Sequence, residues 1–273
     1  MTLFTVDPDL CRHEGDCARE CPLGCIVMGA NGLPIPHERK YRYCMGCGHC
    51  MAVCKTGAIQ LEAFARGGEP LNWDQEPGSE QVVQFLKSRR SVRVFKDKPV
   101  DKDVIADLLD LTQYAPSGHN ARPVQWSIAG SAERVAVVAE AVVEWMRSEV
   151  EEDTPLSKLL HFSGIVRKWD EGTDLVCRNA PVLAVAHAPK QGITPVEDCV
   201  IAVTYLDLAA KSRKLGCCWC GFAAIAARYN EAVRASLGVP EDNRVSGALL
   251  LGYPARRYSA IPPRPPADAT WLF

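Results

Sequence analysis

No run of the 273-residue sequence reaches the roughly eighteen consecutive apolar residues that cross a bilayer, so a membrane-spanning helix is not expected. The opening residues, MTLFTVDPDLCRHEGD, carry neither a basic n-region nor an apolar h-region. No signal peptide is visible, and a cytoplasmic location is expected. Charge of neither sign dominates. The 31 Lys and Arg stand against 33 Asp and Glu, a net charge of −2, and nothing in this balance points to nucleic acid or to a membrane surface. A convincing Gly-rich dinucleotide fingerprint is also missing. Hydrophobic residues make up 47% of the chain, enough for one large domain plus a small one without disulfide support.

What the sequence has in abundance is cysteine, 13 in all, and eight of them fall between Cys11 and Cys54. A disulfide framework suits small secreted chains, whereas clustered cysteines in a reducing compartment bind metal or do redox chemistry. The run CMGCGHCMAVCKTGAI spaces its cysteines as Cys44-x2-Cys47-x2-Cys50-x3-Cys54. This is the bacterial iron–sulfur run, with Lys55 in place of the usual proline. A shift of 33 residues aligns an earlier group with it: Cys11 with Cys44, Cys17 with Cys50, Cys21 with Cys54, Gly24 with Gly57 and Ile26 with Ile59. Glu14 then falls on Cys47, and Cys25 falls on Ala58.

The repeat resembles the two-cluster bacterial ferredoxin domain over residues 1–66, a small α+β unit of two pseudo-symmetric halves. The resemblance implies one [4Fe–4S] cluster on Cys44, Cys47, Cys50 and Cys21, and three corners of another on Cys11, Cys17 and Cys54. Three closures of the remaining corner stay open. Glu14 ligates iron through its carboxylate, the corner is empty and the cluster is [3Fe–4S], or Cys25 swings in. His13 reads as a surface residue.

ARGGEPLNWDQEPGS, residues 65–79, reads as a linker from its Gly-Gly and two prolines. The domain boundaries expected are therefore 1–66, a linker over 67–78, and 79–273. Ser79 is placed to cap a helix through EQVVQFLKSRR. VDKDVIADLLDLTQYAPSG reads as a second amphipathic helix closed by Pro116 and Gly118. VQWSIAG, PVLAVAHA and VSGALLLGY read as strands, with a long helix from Ser131 to Glu151. VEDCVIAVTYLDLAAKSRKLG reads as a central helix, apolar almost all round, stopped at Gly216. Strands alternating with helices in this way indicate an α/β or α+β domain.

Four motifs place the large domain: SRRSVRVFKDKPV, APSGHNARPV, KLGCCWCGF and LLLGYPARRY. In this order they resemble the FMN-dependent nitroreductase family over residues 79 to about 265. The resemblance implies an α+β, three-layer α/β/α domain and a homodimer with FMN at its interface. A phosphate with about two negative charges is matched by arginine. The resemblance assigns Arg89, Arg90 and Ser91 to the phosphate and ribityl chain, and Arg93 to the ring edge. Arg256 and Arg257 complete the phosphate site. Pro116, Ser117 and Gly118 come from the other subunit, with Asn120 close to the ring. The Gly221 backbone N–H faces flavin N5, where the chemistry occurs, so no side chain is assigned as catalytic. Arg122 stands where Gln is usual and Val124 where an aromatic often sits. His119 reads as locally structural, and His161 and His187 have no evident partner. Cys217-x2-Cys220 reads as a redox pair or, preferably, together with Cys218 as small apolar fillers. Residues 144–170, with Trp145, His161, Phe162 and Trp169, are where the family shapes its substrate pocket. Those aromatics either stack a planar acceptor or pack the dimer.

The combination implies an iron–sulfur-linked FMN oxidoreductase. Ferredoxin or NAD(P)H is the donor, and a nitro group, quinone or activated alkene the small-molecule acceptor. Two other readings remain: an electron-transfer adaptor serving a redox protein, and a flavin dehydrogenase running in the oxidative direction.

Overall fold

The computed structural model describes residues 3–65 and 67–273. Residue 66, where the sequence ends the small domain, lies outside the described residues, as do residues 1 and 2. Two compact units are present: Met1–Glu76 with His119–Ala121, and Pro77–Gly118 with Arg122–Phe273.

The first unit contains β1 (Phe4–Val6), α1 (Asp16–Arg19), β2 (Ile26–Met28), β3 (Pro34–Pro36), α2 (His49–Ala52) and β4 (Ile59–Leu61). β1 pairs antiparallel with β4, and β2 with β3. The sequence repeat recurs in the backbone. Gly15 (φ 73°, ψ 7°) and Gly48 (φ 76°, ψ 0°) open the two one-turn helices in the left-handed region. Gly24 and Gly57 match at φ 61° and 67°, and His13 and Gly46 at 58° and 59°. The matched Ile26 and Ile59 are buried together with Phe4, Cys50 and Leu61 in a small core.

In the second unit α3 (Ser79–Lys87) and α4 (Lys102–Leu111) precede β5 (Gln125–Ala129). Three helices follow, α5 (Ala132–Glu151), α6 (Pro155–Leu159) and α7 (Phe162–Asp170). Then come β6 (Val182–Pro189), α8 (Pro195–Ser212), β7 (Gly216–Trp219), α9 (Gly221–Tyr229), α10 (Glu231–Ser236) and β8 (Asn243–Gly252). The sheet order is β5-β6-β8-β7, with every pair antiparallel. Helices α4 and α8 cover one face through Leu108, Val203 and Leu206. Helices α5, α7 and α9 cover the other through Val142, Met146, Phe162 and Ala223. This is the three-layer α/β/α arrangement. β6 and β8 are buried on both faces, which is why their sequences are continuous apolar runs instead of alternating ones.

Several local expectations are corrected. α3 is capped by Gly78, whose N–H donates to Gln81 Oε1 at 2.9 Å, and Ser79 is already helical. α4 ends at Leu111 and passes into a 3₁₀ turn at Thr112–Tyr114, so Pro116 and Gly118 lie beyond the helix. α8 ends at Ser212, and Lys214 takes the left-handed turn at φ 62°. Gly216 instead begins β7. A Cβ there would sit 2.5 Å from Val92 Cγ2 and 2.9 Å from Pro254 Cγ, so the close packing of these two side chains against the backbone requires the glycine. The aromatics of residues 144–170 build core. Trp145 and Phe162 are buried edge to face at 5.2 Å, and Trp169 packs against the same cluster.

Candidate functional site

In the first unit Cys21, Cys44, Cys47 and Cys50 line one cavity with Leu3, Ile26 and Leu61. These are the four residues expected on the first cluster. Burial pushes the Cys50 thiol up to about 11, and Cys47, Cys44 and Cys21 are the thiols that face it. Cys17 is likewise raised by burial, and the thiols facing it are Cys54 and Cys11. The cysteines therefore divide into two groups, each drawing on both halves of the repeat. Among the described residues no three His, Cys, Asp or Glu side chains converge on a point that would hold a single ion. A cubane asks for something else, thiolates spread over separate irons.

Backbone donors already face the sulfurs. Cys25 N–H donates to Cys21 Sγ at 3.1 Å, and Ala58 N–H donates to Cys54 Sγ at 3.3 Å. Burial raises Cys54, but hydrogen bonds from Thr56 and from the N–H groups of Ile59 and Ala58 outweigh it and leave the thiol below its usual range. Such donors favour a thiolate. Cys25 lies in the cavity of the first group. It is fully buried, raised to about 11 by burial and by Cys21, and its thiol donates to the Lys40 carbonyl at 3.2 Å. Glu14 is exposed, and its Oε1 lies 3.2 Å from Lys55 Nζ. His13 is also exposed, and its Nδ1 lies 2.9 Å from the Gly32 carbonyl oxygen.

In the second unit three of the four motifs meet beside β7. Ser91 bridges Cys217, and Val92 N–H donates to the Cys217 carbonyl at 2.8 Å. Lys96 N–H donates to the Tyr253 carbonyl at 2.8 Å, and Ala255 N–H to the Val94 carbonyl at 3.0 Å. Arg89–Arg93, Cys217–Gly221 and the start of Arg256–Arg257 are thereby brought together. Arg89 is paired with Asp207 of α8 at 3.4 Å. Arg90, Arg93, Arg256 and Arg257 have no carboxylate partner among the described residues. Gly221 opens α9, and no heavy atom lies within 4 Å of where its Cβ would be. Its N–H belongs to the unsatisfied first turn of a helix.

The Pro116–Asn120 stretch is organised separately. Gly118 N–H donates to Asp198 Oδ1 at 3.0 Å, as does Thr194 Oγ1. A Cβ on Gly118 would meet Thr194 Oγ1 at 2.1 Å. Pro116, Ser117, Arg122, Val124 and Asp198 line one small cavity, and Asp198 Oδ2 is buried without a hydrogen-bond partner among the described residues. His119, Asn120 and Arg122 all take left-handed backbone, at φ 51°, 54° and 47°.

Sequence reasoning missed Asp198, Asp207 and Lys211. The signal was present as charged residues within a helix otherwise apolar all round. It also missed Arg178, which with Arg93 pulls down the Cys218 thiol that burial raises. Cys217 and Cys220 point into opposite cores, and Cys220 faces Cys177 instead.

A model of the Nitroreductase family matches residues 86–253. A protein of Methanothermobacter thermautotrophicus, provisionally named NADH dehydrogenase/NAD(P)H nitroreductase, is 26% identical over 174 residues, 64% of this chain and 78% of that protein. The formate dehydrogenase iron–sulfur subunit of Wolinella succinogenes is 38% identical over 53 residues, 19% of this chain and 25% of that protein. The crystal structure of a nitroreductase with bound FMN from Bacteroides fragilis has the same fold, with a TM-score of 0.60 and 23% identity. The match covers 71% of this chain and 98% of that one. The chain belongs to the Nitroreductase family. It is an oxidoreductase of that type, with a ferredoxin-like N-terminal segment.

Proposed function

We propose that the chain is an iron–sulfur-linked FMN oxidoreductase that reduces a small acceptor, a nitro group, quinone or activated alkene. The observation that carries this reading is the presence in one chain of two separate constellations. One is a pair of cysteine groups supplied with N–H donors. The other is a set of arginines, Arg90, Arg93, Arg256 and Arg257, without a carboxylate partner among the described residues, on segments that meet beside β7.

The residues fit both groups. Cys21, Cys44, Cys47 and Cys50 would hold one cluster, and Cys11, Cys17 and Cys54 three corners of another, each passing single electrons when bound. Arg90, Ser91, Arg256 and Arg257 would hold the FMN phosphate and ribityl chain, with Arg89 oriented by Asp207. Arg93 would lie at the ring edge, and Gly221 would present an N–H with open space beside it. Bound FMN would supply a centre that stores two electrons and releases them as hydride. Pro116, Ser117, Gly118 and Asn120 would act from a second copy, which makes the enzyme a homodimer. The names of relatives support NAD(P)H as a donor, and the N-terminal segment supports a ferredoxin.

The test is Cys50→Ser in the full chain. FMN content should be unchanged, while flavin reduction by reduced ferredoxin, followed by stopped-flow absorbance, should be lost. Flavin that fills at the wild-type rate in this variant would refute entry through the clusters.

A further inference from the structure

We propose that Glu14 is the fourth protein ligand of the cluster on Cys11, Cys17 and Cys54, and that Lys55 is the counter-ion of that carboxylate. The inference rests on the cluster reading above and assigns the corner which that reading leaves open.

The two halves of the repeat differ at three positions that bear on ligation, one of them Cys25 in the register of Ala58. Glu14 stands in the register of Cys47, and Lys55 stands in the register of Pro22. These two departures touch: Lys55 Nζ lies 3.2 Å from Glu14 Oε1 although 41 residues separate them. An acid in the register of a cysteine and a base in the register of a proline have come together, and the base directly follows Cys54 in the chain. An ion pair this exposed contributes little to folding stability, so stability alone is a weak reason for it.

The loop that would deliver the ligand is preserved. Cys47 is flanked by Gly46 (φ 59°) and Gly48 (φ 76°). Glu14 is flanked by His13 (φ 58°) and Gly15 (φ 73°). A non-glycine residue in the left-handed region is strained. Here His13 is tied through Nδ1 to the Gly32 carbonyl oxygen at 2.9 Å, so the chain follows the same path at residue 14 as at residue 47.

The competing thiol is engaged elsewhere. Cys25 is buried in the cavity of the complete group, bonded to the Lys40 carbonyl and beside Cys21. A carboxylate carries the same charge as a thiolate but is a harder donor. A lysine next to it lowers the net negative charge of the site, which raises the reduction potential.

The test uses the full chain, purified without oxygen and reconstituted with ferrous iron and sulfide. Wild type should hold about eight irons, two four-iron clusters. Glu14→Ala should lose iron from one cluster, seen by iron analysis and Mössbauer spectroscopy, and Glu14→Cys should restore it. Cys25→Ser should keep the full complement. Lys55→Met should keep the iron and shift one cluster potential to more negative values. The ligand assignment is overturned if wild type holds about seven irons, if Glu14→Ala keeps about eight, if Glu14→Cys does not restore them, or if Cys25→Ser loses iron. An unchanged potential in Lys55→Met overturns the counter-ion role. Wild type with fewer than about four irons overturns the cluster reading itself.

Discussion

The Asp207 carboxylate, 5% exposed in the middle of α8, lies 3.4 Å from the Arg89 guanidinium at the end of the first motif. One turn further along the same face, Lys211 donates to the Phe85 carbonyl and, at 2.6 Å, to Ser88 Oγ. The central helix thus grips the turn from which Arg90, Ser91 and Arg93 project. Burial raises the Asp207 carboxyl and the Arg89 charge opposes that rise.

Asp207→Asn should weaken FMN binding about five- to ten-fold, measured by quenching of flavin fluorescence. The stability cost should be only about 1 kcal/mol, because the Arg89 side chain is 37% exposed and solvent screens the pair. Unchanged FMN affinity would show that Asp207 does not orient the arginine turn.

Gly216→Ala should destabilise the large unit by about 1–3 kcal/mol, read from a denaturant midpoint. The new methyl meets Val92 Cγ2 at 2.5 Å and Val92 Cβ at 2.8 Å, neither of which is the end of a flexible chain. Val92→Ala in the same chain should recover part of the loss.

His187 should make stability depend on pH. Its Nδ1 accepts from Asn243 Nδ2 at 2.7 Å, which leaves Nε2–H to donate to Ser127 Oγ at 3.1 Å. Burial holds its pKa below the usual histidine value. The folded state therefore binds fewer protons than the unfolded chain below about pH 6.5. Its contribution is complete above that pH and is lost as the pH falls toward the folded value. The melting temperature should drop on acidification below about pH 6.5, and drop less steeply in His187→Gln. Equal slopes would remove His187 as the source.

Helix α3 has no buried residue, and Val82, Val83 and Leu86 are 37%, 45% and 50% exposed on it. An amphipathic helix with an uncovered apolar face needs a partner surface. Leu86→Glu should shift the mass of the proposed dimer to that of a monomer by light scattering and release FMN. A dimer that persists with its flavin would place the subunit contact elsewhere.

The sequence by itself determined what depends on near neighbours and on period. Cysteine intervals define the two-fold repeat of the ferredoxin-like segment, since spacing along the chain is read directly from the residues. Continuous apolar runs marked β6 and β8, because strands buried on both faces have no polar side to display. The four motifs, taken together, marked the family. The tertiary structure decided what depends on partners distant in the chain. By sequence Cys25 was a candidate for the open corner, and it is packing against Lys40 and Cys21 that places it with the other cysteine group. Gly216 read as a helix stop until Val92 and Pro254 closed around it. Asp207 was one charge in an apolar helix until it met Arg89, 118 residues away, and Glu14 was a missing cysteine until it met Lys55. Burial and pairing belong to the assembled chain, and the reach of a side chain is only a few ångströms.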